Sequence, residues 1–442
     1  MPFALYVLAL AVFAQGTSEF MLSGLLPDLA RDTGVPVGTA GTLTSAFAAG
    51  MIVGAPLMAA LARRWPRRRA LLLFLAAFLA VHVAGALSSS FAVLLVTRVI
   101  AALANAGFLS VAVAAAVAMV RPDAKGRATA TLLGGVTLAC VAGVPAGALL
   151  GHLWGWRAAF WAVALVSAPA LVAIMTSVPD DTSPEPSSPE GTALRAELRV
   201  LRRPDVLLVL GVGALVNGAT FCAFTYLAPL VTRVAGFGDG WVPALLMVFG
   251  LGAFAGVSAS GRLADTRPRT VLAGGGIALA AGWVALAAFT DVPAVVVPLV
   301  FAQGALGFGV GSTLIARALY AASDARTMGG AFATAALNVG AVVGPVLGGL
   351  AVDGGLGYRA PVWVSAGLAG AALAAGVPLI RTMARSGAVD EAGPVDGPSA
   401  LNEASAVDKP SAVDGVSGGR RGGVPCSTCS ASGSDACECA ST

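Results

Sequence analysis

The sequence predicts an all-α membrane protein of twelve transmembrane helices, arranged as two pseudo-symmetric halves of six. Three observations carry this. The 442 residues are 57% hydrophobic and only 11% charged, where a soluble domain holds roughly 25% charged residues. Apolar runs long enough to cross a bilayer, about 20 residues, occur near 4–26, 41–62, 70–89, 92–118, 128–151, 158–178, 206–229, 240–261, 271–290, 293–318, 328–351 and 360–380. The chain also matches itself without gaps when shifted by 202 positions: Gly16, Pro27, Arg31 and Gly34 fall on Gly218, Pro229, Arg233 and Gly236. Phe47, Gly50 and Gly54 fall on Phe249, Gly252 and Gly256, and Arg157 and Trp161 on Arg359 and Trp363.

The loops orient the spans. With the N-terminus inside, the cytoplasmic segments hold Arg63, Arg64, Arg67, Arg68 and Arg69; Arg121, Lys125 and Arg127; Arg195, Arg199, Arg202 and Arg203; Arg262, Arg267 and Arg269; Arg317 and Arg326; and Arg381 and Arg385. The external loops hold only Arg31, Arg157, Arg233 and Arg359. Basic residues concentrate in cytoplasmic loops, so both termini are expected inside a cytoplasmic membrane. No basic stretch precedes the first run and it carries Glu19, so a cleaved signal peptide is not expected.

A parallel repeat places a two-fold axis along the membrane normal and the substrate site between the halves. The expected organisation is a first half at 1–179, a cytoplasmic linker at 180–204, a second half at 205–385 and a disordered tail at 386–442. The linker is rich in Pro, Ser and acids. It closes with Leu194, Leu198 and Leu201 at helical spacing among four arginines, the pattern of a short amphipathic surface helix. The tail is low in complexity and repeats Ala-Val-Asp. Its Cys426-x-x-Cys429 and Cys437-x-Cys439 lack an accompanying His and only half meet metal-ligand spacing, so they read as solvated thiols. Cys140 and Cys222 lie singly in spans and read as small core residues.

Glu19 is the only acidic residue within these runs. Inserting a carboxylate costs about 2.5 kcal/mol or more, so a chain that keeps one is expected to use it. Its structural alternative is a carboxylate paired for topology. The functional reading is a buried carboxyl that loads and releases a proton. Arg98 is the one basic residue well inside a span. At about 1.5 Å per residue, Glu19 lies roughly 11 Å from the outer end of span 1 and Arg98 roughly 9 Å from that of span 4. Their shifted counterparts are Phe221 and Val300, so the charged pair belongs to the first half alone.

Gln15, Thr17, Asn105, Asn217, Tyr226, Gln303 and Asn338 are span polar groups that can line a central cavity or satisfy a helix backbone. His82 reads as a packing residue. Gly307-Phe-Gly309-Val-Gly311 imitates part of a dinucleotide loop but sits inside a span with no strand before it. No nucleophile elbow, phosphate loop or His/Cys/Asp cluster appears, so no catalytic residue, metal or cofactor is expected.

Gly261-Arg-Leu-Ala-Asp265-Thr-Arg-Pro268-Arg269 resembles the Gly-x-Leu-Ala-Asp-Arg-x-Gly-Arg-Arg loop of the major facilitator superfamily. Its first-half copy departs from the pattern, with Ala59, Arg63 and Pro66 where Gly, Asp and Gly are usual. The resemblance implies a conformational latch at Arg67, Gly261, Asp265 and Arg269, with a plain topology anchor as the alternative for the arginines. Span 5 reads Gly134-x8-Gly143-x-Pro145-x-Gly147. It resembles the antiporter motif of drug:proton antiporters, which importers usually lack. Gly16-Thr-Ser-Glu19-Phe-Met-Leu-Ser-Gly-Leu-Leu-Pro27, Ala101-Ala-Leu-Ala-Asn-Ala-Gly-Phe108 and Gly155-Trp-Arg-Ala-Ala-Phe160 extend the likeness to actinomycete chloramphenicol-resistance exporters over residues 1 to about 385.

That resemblance implies proton-driven efflux of chloramphenicol or a similar small amphipathic drug, with Glu19 and Arg98 in coupling. A sugar or nucleoside exporter of the same fold, and a membrane-bound antibiotic-modifying enzyme, are the alternatives. The expected partners are drug, protons and lipid, with no nucleic acid and a single copy of the chain.

Overall fold

The computed structural model describes residues 2–62, 65–121, 124–178, 203–263, 267–321 and 329–391. The amphipathic segment at 194–201, Asp265 and the tail cysteines lie outside the described residues. Among the described residues, twelve helices are long and apolar enough to cross a membrane, which is the span count read from hydropathy.

Spans 2, 3, 4 and 6 are single helices, Val37–Ala62, Arg67–Leu87, Phe91–Ala118 and Trp156–Ser177. So are spans 8 to 12: Val242–Leu263, Pro268–Ala288, Pro293–Ala321, Gly329–Ala351 and Ala360–Glu391. The last runs past the Ser386 boundary suggested by composition.

Span 1 is not one helix but two, Phe3–Phe20 and Leu22–Thr33. The Gly24 N–H bonds to Met21 O at 3.1 Å, three residues back. That releases Phe20 O, which accepts the Ser23 hydroxyl at 2.8 Å instead. Span 7 breaks likewise, at Tyr226, between Pro204–Thr225 and Leu227–Arg233.

Span 5 is Lys125–Leu138 and Val144–Trp154 joined by a π-turn, Ala139–Gly143. Pro145 has no N–H to continue the ladder, and the turn before it widens. The Val144 N–H bonds five residues back to Ala139 O, which leaves Cys140 O aside. That carbonyl faces Gly250 of span 8, where even a Cβ would collide with it.

The repeat recurs in the packing. Gly16 of span 1 lies against Ala139 of span 5, and its counterpart Gly218 of span 7 lies against Gly340 of span 11. Small residues let these backbones touch where bilayer lipid offers no hydrophobic drive. Buried apolar side chains form two clusters, one drawn from Ala4 to Val178 and one from Val206 to Leu379. A few cross over: Tyr226 joins the first cluster, and Phe20, Ala48, Val144 and Ala148 join the second.

The hydrogen bonds that Ser45, Asp353 and Tyr226 make between these two sets fall toward one end. Ser45 donates to Val342 O at 2.9 Å. Asp353, just beyond span 11, accepts the Gly38 N–H at 2.9 Å and the Thr39 hydroxyl at 3.0 Å. The Tyr226 hydroxyl lies 3.1 Å from Gly38 O and 2.9 Å from Pro345 O. Gly24 against Leu246 is at the same end. The halves therefore meet on the side of the 34–36 and 234–241 loops.

Candidate functional site

Span 1 turns two different groups to two different settings in consecutive residues. Ser18 is fully buried toward spans 3 and 4. Glu19, about 100° further round the helix, is partly exposed and makes no hydrogen bond or ion pair among the described residues.

Arg98 is buried and reaches residue 18 twice. Its Nη1 donates to Ser18 Oγ at 2.9 Å and its Nη2 to Ser18 O at 2.7 Å. The guanidinium lies over the Phe47 ring, 4.7 Å from its centroid, a cation–π contact, and Nε has no partner. Arg98 thus acts on Glu19 through the Coulomb field without pairing to it. The depth estimate put the two charges level, and the fold makes them neighbours across residue 18.

His82 completes the group. Its Nε2 is 2.6 Å from Ser18 Oγ and its Nδ1 2.7 Å from Phe78 O. It is a packed residue, 4.1 Å from the Phe78 ring centroid, but it is also bonded to the partner of Arg98. Nothing in the sequence marked Ser18, because a serine in a span ordinarily bonds its own helix backbone. The adjacency to Glu19 was the one available signal.

Gln15 stands one helical turn before Glu19 on the same face. It is buried, and neither amide atom has a partner. Thr17 donates to Phe13 O at 2.8 Å, satisfying its own helix.

The span 5 motif grips this stretch. A Cβ at Gly143 would collide with Thr17 Oγ1, one at Gly147 would lie 3.4 Å from Met21 Cβ, and one at Gly151 would meet Leu25. Pro145 is buried at the π-turn. Gly134 does not belong to this contact. It is exposed with open space around it, whereas Gly135 is the tight position, 2.5 Å from Ala9 O for a Cβ. One residue along a helix rotates the face by about 100°, which spacing alone did not resolve.

Against Phe20, the residue after Glu19, the second half presents rings. Phe221, its repeat counterpart, lies 5.8 Å from Phe20 between centroids, and Phe224 stacks on Phe249 at 4.7 Å.

The other expected cavity residues sit elsewhere. Tyr226 is sealed between Gly38 and Pro345 rather than facing a cavity. Asn105 donates to Met51 Sδ at 3.7 Å, Asn217 to Leu337 O at 2.7 Å and Asn338 to Thr334 O at 2.9 Å. These amides satisfy neighbours because a donor left bare in a dry span costs free energy. Gln303 donates to Leu279 O at 3.2 Å, but its Oε1 and the Trp283 Nε1 are both buried without partners. Both side chains line one small apolar cavity with Phe224 and Phe249. Of the latch residues, Gly261 is exposed in open space and Arg269 Nη2 is buried without a partner. No group of three or more His, Cys, Asp or Glu that could hold a metal occurs among the described residues.

Residues 8–333 match the family model of the Major Facilitator Superfamily. The chain belongs to that superfamily. It is a multi-pass membrane transporter, not an enzyme. It is similar to the chloramphenicol resistance protein of Streptomyces lividans, 54% identical over 392 residues covering 89% of this chain and 100% of the relative. It is also similar to the inner membrane transport protein YdhP of Escherichia coli, 33% identical over 373 residues, 84% of this chain and 94% of that one. A bacterial homologue of the human lysosomal transporter Spinster, solved inward-facing and unoccupied, shares the fold at 18% identity. Its TM-score is 0.70, over 87% of this chain and 97% of that one.

Proposed function

We propose that this transporter exports chloramphenicol, or a similar small amphipathic antibiotic, in exchange for protons. The observation that carries the reading is full-length similarity to a chloramphenicol resistance protein in a chain whose span 1 holds a partly exposed, unbonded carboxyl. Phe20, the next residue, packs on rings of the second half, so this stretch of span 1 offers a carboxyl to a proton or a hydroxyl and aromatic surface to a ring.

The two halves, 1–179 and 205–385, rock about the contacts of spans 5 and 8 and of spans 2 and 11. With both termini cytoplasmic, the end closed by Asp353 and Tyr226 is external and this state is open to the cytoplasm. Drug enters there as Glu19 gives up a proton. The outward state releases drug and reloads the carboxyl. Each proton moving down a 100 mV potential supplies about 2.3 kcal/mol, enough for roughly a 50-fold drug gradient. The latch of Arg67, Gly261, Asp265 and Arg269 closes the opposite end in that state, and the Gly/Pro motif of span 5 supports export. The chain works as a single copy.

The test is Glu19→Gln in an expressing strain. Resistance is lost while the protein still inserts in the membrane, and unchanged resistance would sink the coupling role. A panel of inhibitory concentrations separates drug export from export of a sugar or nucleoside metabolite. Recovery of intact drug from the medium excludes its modification.

A further inference from the structure

We propose that Ser18 and His82 are positioning residues for Arg98. They hold its guanidinium on residue 18 and off the Glu19 carboxyl, which stays free to exchange its proton. The inference rests on the reading of Glu19 as the coupling group.

The hydrogen-bond directions are determined by the partners. Phe78 O can only accept, so His82 Nδ1, 2.7 Å away, carries the ring hydrogen. In the neutral ring Nε2 is then an acceptor, and the Ser18 hydroxyl at 2.6 Å donates to it. A second buried cation beside Arg98 would have no compensating charge. With its hydrogen spent on His82, Ser18 Oγ meets Arg98 Nη1 with a lone pair, at 2.9 Å. The chain runs in one sense, from Arg98 to Ser18 to His82 to Phe78 O.

Each link is needed for the next. A serine on a helix usually donates to the carbonyl three or four residues back, as Thr17 beside it does to Phe13 O. His82 draws the Ser18 hydrogen away from that habit and so turns the oxygen toward Arg98. All three side chains are buried, so water does not substitute. Without the anchor, the nearest acceptor of opposite charge for the guanidinium is Glu19.

The charged and titratable groups around the carboxyl are few. Arg98 of span 4 acts on Glu19, the Cys140 thiol of span 5 lies within the field of Glu19, and His82 of span 3 stands within reach of Arg98. Span 2 lays the Phe47 ring against Arg98 and span 6 the Phe160 ring against His82. A changed pH response in a His82 or Ser18 variant therefore traces to Arg98.

The experiment measures chloramphenicol-driven proton release and drug flux against pH in everted vesicles. His82→Leu removes the acceptor, Ser18→Ala removes the hydroxyl, and His82→Gln keeps an acceptor near Nε2. Expected is a shift of the half-point of the flux profile to lower pH by about one unit in the first two variants, the scale of one lost charge-assisted bond. His82→Gln keeps the wild-type profile. Wild-type profiles in both His82→Leu and Ser18→Ala overturn the proposal. If His82→Leu does not accumulate in membranes, Ser18→Ala decides alone. Glu19→Gln runs in parallel. If it retains pH-dependent flux, the coupling reading itself fails. If it abolishes flux while the other variants match wild type, only the positioning role fails.

Discussion

Removing the Asp353 carboxylate unfastens the end of the molecule where the halves meet. Span 2 begins at Val37, and Asp353 accepts the Gly38 N–H at 2.9 Å and the Thr39 hydroxyl at 3.0 Å. A residue beyond span 11 thus caps the first turn of a helix in the other half. Replacing a capping side chain by Ala costs about 1 kcal/mol, and the charge at a helix N-terminus adds about 0.3–1 kcal/mol. Asp353 is exposed, so about 1.5 kcal/mol is the working figure for Asp353→Ala. Both bonds cross between the halves and exist only while this end is closed, so the full amount enters the closed-to-open equilibrium. At 1.4 kcal/mol per tenfold, the closed fraction falls relative to the open one by about a factor of ten. Spin labels at the exposed, repeat-related positions Arg31 and Arg233 report the separation of this end. The variant's distance distribution gains weight at long separation. A distribution identical to wild type, or a lower melting temperature with no change in distances, refutes the cap as a gate contact.

Two further perturbations follow from the packing. Gly143→Ala puts a Cβ into Thr17 Oγ1 and displaces the helix that carries Glu19; overpacking of this kind costs about 1–3 kcal/mol and is expected to abolish drug efflux, whereas Gly134→Ala, with open space around it, leaves efflux at the wild-type level. Tyr226→Phe loses the hydroxyl lodged between Gly38 O and Pro345 O; purified protein in detergent loses about 1 kcal/mol of stability, seen as a lower melting temperature.

The positions that hydropathy and repetition revealed are those constrained by the bilayer itself. A run such as 92–118 reads as a span because every backbone group in lipid must bond within its own helix, and span 4 forms at Phe91–Ala118. The breaks escaped that reading. Met21 is as apolar as its neighbours, a single tyrosine does not interrupt the apolar run of span 7, and a helix that exchanges one bond for the Ser23 hydroxyl leaves no mark on hydropathy. The π-turn at Ala139–Gly143 was half visible: Pro145 announced a disturbance in span 5, but not which carbonyl it frees or that Gly250 faces it.

The site divides in the same way. Glu19 and Arg98 stood out because charge in a span is costly wherever it sits. Ser18 and His82 did not, since each has an ordinary role that needs no partner, and only packing of spans 1, 3 and 4 brings them together. Tyr226 shows the choice that sequence left open between lining a cavity and satisfying a helix backbone: its hydroxyl lies against the carbonyls of Gly38 and Pro345. Sequence alone determined the number of spans, the internal repeat and the two charges that need an explanation, because these follow from composition along one dimension. Which atoms those charges meet, which end is shut and which of two adjacent glycines lies in the contact were decided by the tertiary structure. Each depends on helix rotation, where one residue turns a side chain by about 100° and only a packed neighbour selects the angle.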